Sequence, residues 1–132
     1  MHSYWDDFWG LKGYNGAMAA AMALGRNDDA RRLEAQRDEF RVDLAASLQH
    51  VVAAHGIAYL PGAAELGDFD PTSTTIAIAP GGELHRLPSD LVLGTFERYW
   101  REFVDRRDGR RAWEDYTPVS YTHLTLPTTE RV

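Results

Sequence analysis

Three short stretches of this sequence interleave carboxylates with aromatic residues: Tyr4-Trp-Asp-Asp-Phe-Trp9, Glu65-Leu-Gly-Asp-Phe-Asp70 and Trp113-Glu-Asp-Tyr116. The combination suits carbohydrate chemistry. Aromatic faces stack on the apolar faces of sugar rings, carboxylates accept hydrogen bonds from hydroxyls, and two carboxyl groups can do the acid and base work of glycoside cleavage. Helix capping and core aromatics would account for any one cluster alone. Three of them in one chain point toward a site.

Competing chemistries fit the same residues less well. Asp68-Phe-Asp70-Pro-Thr72 begins like a calcium loop, but Ser73 stands where the loop needs glycine and Ala79 where it needs glutamate. The Asp6-Asp7 pair is similar to the metal-binding aspartates of isoprenoid synthases, but Gly10 occupies the position of a required acid. His2, His50, His55 and His85 show no metal-ligand spacing, so no metal and no cofactor is expected. Neither a Gly-x-Ser-x-Gly elbow nor a phosphate-binding glycine loop is present, because Gly10, Gly13 and Gly16 fall inside a helical pattern.

The elements that must position these clusters are helical. Trp5 to Leu24 reads as a first helix, its three glycines suggesting close backbone packing, with Gly25 as its C′ residue and Asn27 as the next N-cap. A second helix of roughly 40 Å runs to Gly56, with Leu33, Phe40, Leu44, Leu48 and Val51 on its apolar face and Arg31, Glu34, Asp38 and Arg41 in solvent. The segment from Ile57 to Pro88 is punctuated by proline and glycine, and connections of that length are usually functional. Within it, Thr72 to Ala79 reads as a short helix begun after Pro71, in preference to a strand. Ser89 caps a last long helix with Asp90 in its first turn and Val92, Phe96, Tyr99, Trp100 and Phe103 as its buried stripe. Arg106, Arg107, Arg110 and Arg111 complement that helix's dipole at its C-terminal end. The expected fold class is all-α, built of antiparallel helix hairpins.

The 132 residues contain no cysteine, and 14 Lys+Arg against 20 Asp+Glu give a net charge of −6. No disulfide or thiolate chemistry follows, the acidic balance argues against nucleic acid as a partner, and no apolar run reaches the roughly 20 residues that span a bilayer. No hydrophobic leader opens the sequence, and cytoplasmic or exported localisation stays open. Residues 119–132 differ in composition from what precedes them, with four threonines and no alanine. Val119-Ser-Tyr-Thr-His-Leu-Thr-Leu-Pro-Thr128 resembles a translated sequencing adapter, which implies a non-native tail and a native unit of residues 1–118.

The stretches His2-Ser-Tyr-Trp-Asp-Asp-Phe-Trp-Gly-Leu-Lys-Gly13 and Leu60-Pro-Gly-Ala-Ala-Glu-Leu-Gly-Asp-Phe-Asp-Pro-Thr-Ser-Thr-Thr75 resemble segments of bacterial six-hairpin glycosidases. Trp113-Glu-Asp-Tyr-Thr-Pro118 is similar to an acidic motif of the same proteins, its Trp-Glu pair to the general-acid segment of glucoamylase-like members. The resemblance implies that residues 1–118 are a fragment of an (α/α)6 toroid from a glycoside hydrolase, with paired helices circling a carbohydrate pocket. It implies Glu114 as general acid and Asp7 or Asp6 in a base or sugar-binding role, with Asp7 the catalytic candidate of the two. Trp5, Asp6, Trp9, Glu65, Asp68, Asp70 and Trp113 would contact substrate. Asp6 and Asp7, at a helix start, are expected to have carboxyl pKa values lowered by the dipole. A non-catalytic sugar-binding toroid is one alternative. The other is a helical scaffold for protein partners, although the tetratricopeptide pattern fails at Gly16 and no internal repeat is present.

Overall fold

The computed structural model describes residues 1–113. Four helices make up the described chain: α1 (Tyr4–Ala23), α2 (Asn27–His55), α3 (Pro71–Ile78) and α4 (Ser89–Arg107), with a 3-10 turn at Leu84–Arg86. The all-α expectation holds among the described residues, whose only extended pairing is two isolated bridges, Ser3 with Ala63 and Pro61 with Phe69.

The helical hairpin of α1 and α2 closes through Leu24–Arg26. Gly25 takes a left-handed φ of 70°, and the Arg26 N–H reaches back to the Ala21 carbonyl at 2.8 Å, a Schellman-type closure. Because that closure uses Arg26 itself, α2 begins one residue earlier than the side-chain pattern suggests. Asn27 is therefore the first helical residue and makes no cap. Instead, Asp29 pairs with Arg26 at 2.5 Å and with Arg32 at 2.9 Å, stabilising the first turn. At its far end α2 stops at Gly56, where φ is 62°.

Tyr4, Phe8 and Leu11 of α1 meet Leu44, Leu48 and Val51 of α2 across the hairpin. Leu60, Ile76 and Ala77, from the long connection, complete that cluster. The connection thus anchors the core through these residues while Ala58, Glu65, Leu66 and Asp68 stay at the surface. Within it, α3 forms despite its β-branched residues. The Asp70 carboxylate accepts the Thr72 N–H at 2.9 Å and the Ser73 hydroxyl at 2.6 Å, and Pro71 supplies a pre-set φ in the first turn. Asp70→Ala is expected to cost about 1 kcal/mol of global stability, read as a shift in urea midpoint at unchanged slope.

α4 docks differently from its apolar pattern. Thr95 is fully buried while Trp100, expected in the buried stripe, is 61% exposed. The contact stripe runs through Gly94 and Thr95 because the missing Cβ of Gly94 lets α4 approach the backbone of the connection. A Cβ built there would lie 2.0 Å from the Ala58 carbonyl oxygen. Thr95 Oγ1 accepts the Leu60 N–H at 2.9 Å and donates to the Leu91 carbonyl at 2.7 Å. One turn further on, the Arg98 guanidinium lies over the rings of Tyr59 and Phe69, 4.8 Å and 4.2 Å from their centroids.

Three other expectations need correction. Of the α1 glycines only Gly10 is tight, its Cβ position 3.3 Å from the Phe40 ring, while Gly13 and Gly16 have no described atom within 4 Å. Arg41 is not on a solvated face: its guanidinium grips the buried Glu83 carboxylate through Nε at 3.0 Å and Nη2 at 2.6 Å. Ser89 does not cap α4: it is the first helical residue, follows Pro88 and makes no capping hydrogen bond. At the other end Arg106 stands in the last turn as expected, buried and bonded to the Ala112 and Glu102 carbonyls.

Candidate functional site

The first two acidic clusters are stitched together by main chain. Tyr4 N–H donates to the Gly62 carbonyl at 3.0 Å and Ala64 N–H to the His2 carbonyl at 2.9 Å, so the start of α1 runs antiparallel to residues 61–64. The loop beyond closes on itself, with Gly62 N–H bonded to the Asp68 carbonyl at 3.0 Å and Ala63 N–H to Asp68 Oδ1 at 2.9 Å. Gly62 is required at this crossing, since a Cβ would come within 2.6 Å of Asp70 Cβ and 2.9 Å of Asp68 Oδ2.

His2 links two of the carboxylates. Its backbone N–H donates to both oxygens of Glu65, at 3.0 Å and 2.8 Å, and its ring Nε2 lies 3.1 Å from Asp7 Oδ2. The N–H bonds hold the exposed Glu65 carboxyl below its ordinary pKa. Asp7 goes the other way. Its side chain is only 12% exposed, and burial raises its pKa, helped by the neighbouring Asp6 charge and opposed by His2. The expected lowering by the helix dipole is overturned at Asp7 because desolvation exceeds it. Burial, together with the charges of Asp7 and Glu65, also raises the fully buried Tyr4 phenol against its 2.7 Å hydrogen bond to Ser47.

A carboxyl whose folded pKa lies above its unfolded one binds more protons in the native state between those two values. Stability therefore falls as pH rises through that window, above the ordinary aspartate value. Asp7→Asn is accordingly expected to stabilise the protein at neutral pH. The gain should shrink to nothing below the unfolded aspartate pKa, as measured by urea unfolding at the two pH values.

Trp5 and Trp9 lie one turn apart beside Asp6, ring centroids 6.5 Å from each other. Trp5 is half-buried against the core, Trp9 is 40% exposed and Asp6 faces solvent. Asp68 and Asp70 sit next to each other around Gly62, but both spend carboxylate oxygens on the local backbone. Trp113 belongs to a separate group, edge-on to Phe103 at 6.0 Å, with Trp100 stacked on the same Phe103 ring at 5.4 Å. Glu114, the candidate general acid, lies outside the described residues.

Sequence reasoning passed over Glu83 and put its partner Arg41 in solvent. The signal for Glu83 was weak: a lone acid after Pro80-Gly-Gly, in a turn where buried carboxylates are uncommon. Beside that ion pair a cavity of about 110 Å³ opens between α1, α2 and residues 83–88, and none of the candidate carboxylates lines it. No group of three or more His, Asp or Glu among the described residues is arranged to hold a metal ion, and no described helix is long and apolar enough to cross a membrane. Comparison with protein-family models, curated proteins and solved structures gives no match.

Proposed function

We propose that this chain is part of a carbohydrate-active protein, a glycoside hydrolase built as an (α/α)6 toroid, and that the start of α1 with the Pro61–Asp70 loop forms its sugar-contacting surface. The observation that carries this reading is the convergence of Asp7 and Glu65 on His2, beside a partly exposed Trp9 and an exposed Asp6. Segments about 60 residues apart in sequence thereby supply aromatic and carboxylate groups to one place. In this reading Trp5 and Trp9 form the stacking platform, Asp6 and Glu65 accept sugar hydroxyls, and Asp68 and Asp70 shape the loop. Asp7, its pKa raised by burial, suits proton donation better than the base role the resemblance implies. Glu114 and Trp113 are the further candidates from the third cluster.

The reading is tested by titrating the chain with a panel of neutral oligosaccharides while following tryptophan fluorescence. The expected result is saturable quenching whose half-saturating sugar concentration Trp9→Ala raises up to about tenfold, the loss of one good stacking contact. Absence of saturable quenching across the panel, or a half-saturating concentration unchanged by Trp9→Ala, overturns it. For the whole protein, glycan hydrolysis should be lost in a folded Glu114→Gln variant.

A helical scaffold for protein partners is the second reading, and one observation favours it. α4 leaves Leu93 59% and Trp100 61% exposed, on a helix that docks through Leu91, Val92, Gly94, Thr95 and Arg98. The exposed Trp9 beside carboxylates favours the carbohydrate reading over it.

A further inference from the structure

The cavity beside the Arg41–Glu83 pair has a floor of Phe8, Leu11, Leu44 and Leu48, all under 7% exposed, and Arg86 at its rim. Its volume of about 110 Å³ is comparable in scale to an apolar cavity of about 150 Å³ that takes up benzene. A single aromatic ring, or a branched alkyl group of similar bulk, matches it.

The polar groups at its edge select the head of the ligand. Both Glu83 oxygens are taken by Arg41, at 3.0 Å and 2.6 Å, and Arg41 Nη1 is bonded to Asp38 at 2.9 Å. Neither member of that pair has its charge available to a ligand. Arg86 differs: its side chain is 55% exposed and its contact with Glu83 is a loose 4.0 Å. A guanidinium with donors to spare at the mouth of an apolar cavity is complementary to a carboxylate. A cationic ligand would meet two arginines there against one neutralised glutamate.

We propose that the cavity between α1, α2 and residues 83–88 binds a small aromatic carboxylate, its ring among Phe8, Leu11, Leu44 and Leu48 and its carboxylate on Arg86. The site shares no residue with the sugar-contacting surface proposed above and stands whether or not that reading survives.

The test uses the full 132-residue chain with labelled leucine methyls, titrated with benzoate and, as a neutral comparator, benzyl alcohol. Benzoate should shift the methyl resonances of Leu44 and Leu48. Arg86→Gln should weaken benzoate at least about tenfold, the worth of one charge-assisted contact, and leave benzyl alcohol unchanged. Ala45→Trp, an exposed position at the mouth, should abolish the response to both compounds. Both substitutions lie at exposed positions, so the fold is expected to persist, and unchanged methyl dispersion verifies it. The proposal is overturned by an absence of methyl shifts with benzoate. Benzyl alcohol binding as tightly as benzoate, or a benzoate affinity indifferent to Arg86→Gln, also overturns it.

Discussion

Gly94→Ala should destabilise the protein by about 3 kcal/mol, although alanine is the better helix former by about 1 kcal/mol. The added methyl cannot be accommodated, because its position lies 2.0 Å from the Ala58 carbonyl oxygen, a backbone atom in the short link from α2 to the buried Leu60. α4 must therefore lift away from the connection. In lifting it loses the Leu60 N–H to Thr95 bond and draws Arg98 off Tyr59 and Phe69, so more than one methyl's worth of contact goes. Gly13→Ala and Gly16→Ala provide the internal comparison, since nothing described lies within 4 Å of either Cβ position. Each of these should stabilise by up to about 1 kcal/mol. Urea unfolding of the three variants reads both signs, and a Gly94→Ala variant as stable as the parent would contradict the docking of α4 described above.

Glu83→Ala is expected to cost about 3 kcal/mol or more. Glu83 is 3% exposed and Arg41 16%, so truncation leaves a largely buried guanidinium with only Asp38 as partner. It also frees the turn that carries residues 84–88 onto α2. The cost arises from the orphaned charge as much as from the lost attraction. Replacing both Arg41 and Glu83 by leucine should therefore be less damaging than Glu83→Ala alone. Equilibrium unfolding of the two variants decides the matter: a double replacement worse than the single one would mean that the pair contributes mainly its own attraction.

The long elements were legible from the sequence because local signals sufficed for them. Gly25 and Gly56 end α1 and α2 where a left-handed residue was expected, and Pro71 starts α3 even though Thr72, Thr74, Thr75 and Ile76 favour a strand. What failed depended on partners remote in the chain. Periodicity put Arg41 in solvent because it has no knowledge of Glu83, 42 residues away. The same blindness put Trp100 in the buried stripe, when the small residues Gly94 and Thr95 decide which side of α4 can approach backbone. The candidate site was half legible. Residue types marked the clusters, but the meeting of Asp7 with Glu65 through His2, and the burial that raises the Asp7 pKa, are tertiary facts.

The core-anchored connection between α2 and α4 bears on how the chain opens and closes in time. A hairpin joined by a long linker would breathe, its helices staying paired while the linker exchanged its amide protons freely. Here the amides of Leu60, Gly62 and Ala63 are bonded to Thr95 and Asp68, and Leu60 is fully buried. Their exchange requires the cooperative opening of the whole unit, whereas the N-terminal part of α2, mostly exposed, can fray alone. The slowest protons should thus belong to the least regular stretch of chain. The α1–α2 hairpin excised without that stretch would lose the floor on which Tyr4, Phe8 and Leu11 rest.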